Sequence, residues 1–514
     1  MKRKTLTTAV LAGLTGVAGM ASVANAVNVN PDGLGQVLLF PYYSARGGNN
    51  TLISIVNTTD RGKAVKIRFI EAMNSREVLD FNIYMSPFDV WTTAILPTED
   101  GGAKIETTDT TCTVPYIFGD FDGVQPFLTF ELDDGGPDGA ERTASGYIEV
   151  IEMGTMLPVP DSAPASAADP QIIPWVTKHV DGVPRDCDIP VLAWTEGSGL
   201  PWIGGDTTFG FDTEIGASGG LFGAGSIINV DEGTMISYNA TALDGFWERG
   251  TTRHTEPDSL APDLAAGDAT TSFVFDNGRL QQNEWASGLF AVNATLTLDR
   301  LMNEYVTDPG LNARTEWVLT FPTKRFHTDA DGGYVTPDNP VEPFTNTWHQ
   351  TAAGGLNLPC ETMEFRFWDR EESEPEKELG PPTVSPPPPP SPTPTFQLCK
   401  EANVVRFGSG AVDQTEILKE PAREGTFARL GFLNIPLDYE DGWVRFDLTE
   451  IPGSSNRRVS VPAISGTDGN LVVEGLPVVG FQATTVTNGE LAGGVLSNYG
   501  GTFNHRGTRS FTGS

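Results

Sequence analysis

Between residues 37 and 72, in VLLFPYYSARGGNNTLISIVNTTDRGKAVKIRFIEA, three apolar stretches are separated by two short polar breaks. The first break holds Gly47, Gly48, Asn49 and Asn50, the second Asp60, Arg61 and Gly62, residue types that accept turn backbones or bond their own chain. In the third stretch Val65, Ile67 and Phe69 alternate with Lys66 and Arg68. That period of two predicts a half-buried strand with its cations on the outer face, and the whole segment reads as an antiparallel meander. No nucleophile with a base beside it occurs here.

The same rhythm continues along the chain. LDFNIYMSPFDVWTTAIL (79–96) reads as two strands broken at Pro87, with further strands at 126–132, 146–152, 271–276 and 316–321 and a hairpin over 225–240. With 57 Gly and 38 Pro to punctuate it and 28 Phe and 10 Trp to fill cores, the expected class is all-β. The expected architecture is two or three antiparallel β-sandwich domains with little helix and a proline-rich insertion. Residues 294–305 alone suggest a short amphipathic helix, through Leu296, Leu298, Leu301 and Met302. The expected division is a signal peptide over 1–26, a sandwich over 27–200, a second β-rich domain over 201–370, an acidic and proline-rich insertion over 371–398, and closing strands over 399–514.

The opening MKRKTLTTAVLAGLTGVAGMASVANA has the basic start, apolar middle and small-residue end of a secretory signal, with cleavage expected after Ala26. No later run reaches the roughly 20 apolar residues of a membrane-spanning helix. The expected place is the cell exterior or the outer-membrane surface, with the periplasm second. Loss of Lys2, Arg3 and Lys4 takes the net charge from −34 to −37, which excludes nucleic acid as a partner. In an exported chain Cys112, Cys187, Cys360 and Cys399, with no CxxC among them, point to disulfides. Three pairings are open, and the shortest loops join Cys112 to Cys187 and Cys360 to Cys399. The second pair would close the ends of PPTVSPPPPPSPTPT into a projecting arm.

Catalytic signatures are sparse. Gly216 to Gly220 fits G-x-S-x-G with Ser218 central, but it sits in a glycine-rich loop without the strand and helix that make a nucleophile elbow, so it reads as structural. His179, His254, His327, His349 and His505 form no metal-binding spacing. Two acidic loops gather Asp133, Asp134 and Asp138, and Asp329, Asp331 and Asp338, around glycines. Neither is an EF-hand, and the alternatives are solvated turns or structural calcium, the one cofactor expected. Trp194, Trp202, Trp247 and Trp285 flank apolar strands and read as core rather than as a sugar platform.

Several blocks, among them GQVLLFPYYS, NSREVLDFNIYMSPFDVW, EWVLTFPTKRF, LPVVGFQA and GGVLSNYGGTFNHRGTR, resemble a mostly uncharacterised family of exported proteins from Gram-negative bacteria. Some members are labelled nanopod-type surface-layer proteins, which sheathe outer-membrane vesicles. The resemblance implies a structural or binding role at the cell surface, self-association or envelope components as partners, and no catalytic residues. Two other readings fit the composition: a secreted carbohydrate-active hydrolase using paired carboxylates, and a glycan-binding adhesin without catalysis.

Overall fold

Strands dominate the computed structural model, at 45% of residues against 10% helix. It describes residues 26–512, apart from 277, 331–334, 337, 338, 352, 373–394, 438, 450–456, 461–471 and 492–494. The expected signal peptide therefore lies, except for Ala26, outside the described residues.

Two layers are built first. A nine-stranded sheet runs in the order Arg279–Glu284, Thr271–Asp276, Ala26–Val29, Thr241–Asp244, Val37–Ser44, Ser145–Thr155, Lys63–Glu71, Glu77–Met85, Cys112–Val114. A six-stranded sheet runs Thr234–Asn239, Leu221–Asn229, Asn49–Asn57, Val90–Pro97, Ala103–Glu106, Val124–Pro126. Phe40, Ile67 and Phe81 of the first meet Ile55, Trp91 and Ile227 of the second in one core. The meander read from residues 37–72 is thus corrected. Val37–Ser44 and Asn49–Asn57 belong to different sheets, and Lys63–Glu71 returns to the first. Alternation reports which face of a strand is apolar, not which strand lies beside it. The strand read at 126–132 does not form: the strand Val124–Pro126 ends there, residues 127–129 are irregular and Phe130–Leu132 is a 3-10 turn.

Lys63–Glu71 is buried along its whole length, which overturns the half-buried reading. The nine-stranded sheet is covered on its second face too. Ala64, Tyr84 and Met153 pack there against Ile173, Trp194, Trp202 and Phe211, while Val37, Leu39 and Ile151 pack against Phe246, Trp247 and Leu289. Lys66 and Arg68 do share the face opposite Val65 and Ile67, but they are sealed in and must be paired. Lys66 Nζ donates to Asp80 at 2.8 Å, and Arg68 donates to Glu77 at 2.6 Å and to Glu149.

Two five-stranded sheets make the other half. One runs Thr395–Leu398, Glu361–Asp369, Asp441–Asp447, Arg300–Val306, Arg506–Thr508; the other Leu433–Ile435, Ala402–Phe407, Ala313–Thr320, Val479–Leu491, Val495–Asn504. Tyr305, Trp317, Phe365, Phe407 and Phe446 fill the space between them. The boundary expected at residue 200 does not separate the sheets, because Leu221–Asn229 pairs with Asn49–Asn57 and Thr241–Asp244 with Val37–Ser44. The chain passes to the second half after the helix Gly288–Leu296.

That helix replaces the one expected over 294–305. It is buried on nearly every side, so it has no amphipathic stripe to read. Beyond it Arg300–Val306 is a strand, with Leu301 and Tyr305 inward. Both disulfides form as the shortest loops suggested: Cys112 with Cys187 and Cys360 with Cys399. Glu361–Asp369 and Thr395–Leu398 pair antiparallel in one sheet, and the proline run expected to project as an arm between them lies outside the described residues.

Candidate interaction face

The six-stranded sheet presents only one face to the core. Along Asn49–Asn57 burial alternates residue by residue, with Ile53 and Ile55 inward and Leu52, Ser54 and Val56 outward. Opposite Leu52 stand Ala94 on one neighbour and Ser226 on the other; opposite Val56 stand Val90 and Phe222. Ile228 faces Met235 on the next strand. Glycines bring this sheet close to its core: a Cβ on Gly223 would lie 2.4 Å from the Phe40 ring and one on Gly225 2.4 Å from Tyr238.

Four of the sheet's six strands put no charge on the outer face. Not one residue of Asn49–Asn57, Val90–Pro97, Leu221–Asn229 or Thr234–Asn239 is Asp, Glu, Lys or Arg, although the chain carries 67 acids and 33 bases. Leu52, Val90, Phe222 and Met235 are 42%, 44%, 39% and 49% exposed. A shallow depression of about 450 Å³ lies among Leu52, Ser54, Thr92, Ala94 and Ser226, with Glu106 on its border. Charge begins at Ala103–Glu106, where Lys104 and Glu106 neutralise each other at 2.9 Å. On the opposite border Asn498 donates to the Glu232 carbonyl and Thr502 to that of Ser237, so Val495–Asn504 closes that edge.

The aspartates of the two acidic loops are placed differently from one another. Asp133 and Asp138 are exposed, Asp134 and Asp329 are buried, and Asp331 and Asp338 lie outside the described residues. Tertiary structure brings Asp134 and Asp329 together, but on cations. Arg142 donates to both oxygens of Asp134 at 2.7 Å and to Glu71 at 2.9 Å. Arg76 reaches Asp329 at 3.1 Å, and Asn74 Nδ2 bonds both aspartates at 2.9 Å. Glu71 also accepts the backbone N–H groups of Met73, Asn74 and Arg76, which folds the turn after its strand. Burial pushes the Asp134 carboxyl up, and the hydrogen bonds and charge of Arg142 outweigh it and hold the group below the usual range. Among the described residues no set of three or more His, Cys, Asp or Glu is placed to hold a metal ion.

Ser218 is fastened within its loop. Lys63 Nζ donates to Ser218 Oγ and to Glu152 Oε1, each at 2.8 Å, and Glu152 accepts the N–H groups of Ser218 and Gly219. A lysine that activates serine must accept its proton, whereas Lys63 shares its own protons with Glu152. Of the histidines, His254 is enclosed by Tyr84, Trp194, Trp202 and Phe211, bonds Tyr84 Oη at 2.8 Å and the Thr207 carbonyl at 3.0 Å, and is held at about 3 by burial. Trp194, Trp202, Trp247 and Trp285 are all core. Three tryptophans reach the surface, Trp175 beneath the Arg185 guanidinium and Trp368 and Trp443 stacked at 4.1 Å, and the sequence reading singles out none of them.

These features define a class: an all-β protein of packed antiparallel sheets, with a sheet face open to solvent on which four neighbouring strands carry no ionisable residue. Compared with known proteins, the chain matches no family model, no curated protein and no solved structure. This face went unread in the sequence, although its signal was there in four strands without an ionisable residue.

Proposed function

We propose that this is an exported structural or binding protein of the cell surface whose copies associate through the outer face of the six-stranded sheet, as in a surface layer or vesicle sheath. The observation that carries the reading is the missing charge. A chain of net charge −34 repels its own copies wherever carboxylates meet, and the four uncharged strands let two copies approach with carboxylates, Glu106 and Asp109, only along one border. Its exposed Leu, Val, Phe and Met supply apolar area, and its Ala and Ser leave the relief low enough for sheets to stack about 10 Å apart.

The size of the patch supports lateral association rather than a permanent dimer. Nine residues at about 3.4 Å by four strands at about 4.8 Å give a patch of about 600 Å², so two copies bury about 1,200 Å², the lower end of specific interfaces. Contacts of that size become stable when repeated across an array.

Sedimentation velocity over a range of concentrations tests this. The expected result is concentration-dependent assembly of the wild-type chain and its loss in Leu52→Asp, with the melting temperature unchanged because the site is exposed. A wild-type chain that stays monomeric, or a Leu52→Asp variant that assembles as well, refutes the proposal.

A further inference from the structure

Where the two halves of the molecule meet there is a pocket enclosing about 330 Å³, at the lower end of the roughly 300–1,000 Å³ that accommodates small molecules. Val29 and Pro41 border it from the first half; Leu298, Val478 and Phe481 border it from the second. Junctions of this kind are common places for ligand sites. The lining mixes apolar side chains with Asn30, Asn239, Thr241 and Asn504 and has one cation, Arg509, which lies between the strands Arg506–Thr508 and Ser510–Thr512.

Arg509 is poorly provided for. Its Nη2 donates to the Thr295 carbonyl at 3.3 Å, in the last turn of the helix Gly288–Leu296, while its buried Nε has no acceptor. No carboxylate lies within ion-pairing distance of it among the described residues. Burial pulls the guanidinium below the usual arginine range, and Asp276 and Asp299 oppose this from beyond contact. Arginine does not give up its proton in a protein, so the charge persists and is short of an anion. The other titratable group on the wall, His505, does not compete. It bonds the Val318 carbonyl at 2.9 Å and Asn303 at 3.1 Å, and burial holds it neutral at about 4.

We propose that this pocket binds a small amphipathic carboxylate, with the hydrocarbon chain between the apolar walls and the carboxylate on the Arg509 guanidinium. The ligand would supply what Arg509 lacks, a planar two-oxygen acceptor that matches its fork of donors. The guanidinium disfavours an amine, and Leu298, Val478 and Phe481 favour a hydrocarbon chain.

Isothermal titration calorimetry of the full chain with octanoate, 1-octanol and octylamine at pH 7.5 tests the assignment. Octanoate is expected to bind about tenfold or more tighter than octanol, as a charge-assisted hydrogen bond requires, with octylamine weakest. Arg509→Gln should reduce octanoate to the octanol level and leave octanol unchanged. Leu298→Trp, which fills the pocket, should weaken both alike. Octanoate binding the wild-type chain no tighter than octanol overturns the proposal, whether or not Arg509→Gln folds. Octanoate affinity that survives Arg509→Gln overturns it as well.

Discussion

Replacing Arg142 by Met should destabilise the protein by about 4 kcal/mol at pH 7, and by less as the pH falls. The Arg142 side chain is fully buried and donates to both oxygens of Asp134, to Glu71 and, at 3.0 Å, to the Pro137 carbonyl. Removing one partner of a buried ion pair costs about 3–5 kcal/mol, because the charge left behind keeps its desolvation penalty. Two carboxylates lose their cation here. Asn74 and Arg76 still reach Asp134, and backbone amides still hold Glu71, which keeps the loss inside that range. The pH dependence follows from Asp134. Its folded pKa lies below the ordinary 3.8, so the stability it confers is present above 3.8 and disappears as the pH drops through the folded value. Without Arg142, burial drives the same group upward, and it takes up a proton at higher pH, which relieves the stranded charge. Urea unfolding followed by circular dichroism at pH 7 and pH 4.5 measures both effects, since urea, unlike guanidinium chloride, does not screen them. A loss below 1 kcal/mol at pH 7, or an equal loss at the two pH values, would refute the reasoning.

Two further outcomes are expected. Converting Cys112 and Cys187 to Ser, whose bridge closes a separation of 75 residues, should cost about 4.5 kcal/mol by loop entropy, and converting Cys360 and Cys399, 39 apart, about 3.9 kcal/mol; urea unfolding of each variant decides, and a loss under 1 kcal/mol counts against the bridge. Melting temperature should peak between pH 5 and 6.5, roughly, the interval between two opposing drifts. Burial raises Glu316 to about 7 and Glu401, whose oxygens have no hydrogen-bond partner, to about 8, so the native state holds protons that the unfolded chain sheds above 4.5, and stability falls as the pH climbs toward 8. Burial holds His254, His327 and His505 at about 3, 4 and 4, so the unfolded chain gains protons below 6.5 that the native state refuses, and stability falls on that side too. A melting temperature that rises from pH 6.5 to 8.5 would contradict this.

Local chemistry was legible residue by residue. The strands 79–96 and 225–240, the break at Pro87, the core tryptophans and the all-β class all follow from turn residues and period two, which depend only on near neighbours in the chain. The disulfide pairs followed from loop length. The cation-bearing strand shows where such reading ends: alternation placed Lys66 and Arg68 on the face away from Val65 and Ile67, but whether that face meets water depends on residues 156–270 folding over it. The helix at 288–296 escaped for the same reason, since a segment buried all round has no periodic contrast.

What the sequence determined by itself is the kind of element each segment forms and the acid excess that any copy must manage in approaching another. Tertiary structure alone decided which strands are neighbours, because a turn such as Ala45–Gly48 can join strands of one sheet or carry the chain to another at similar local cost. It likewise decided that Asp134 and Asp329, 195 residues apart, meet beside arginines, that four uncharged strands share one open face, and that the half-buried Arg509 borders a pocket with no carboxylate within ion-pairing distance among the described residues. Each of these depends on which distant groups exclude water from one another, and that is settled only when the sheets pack.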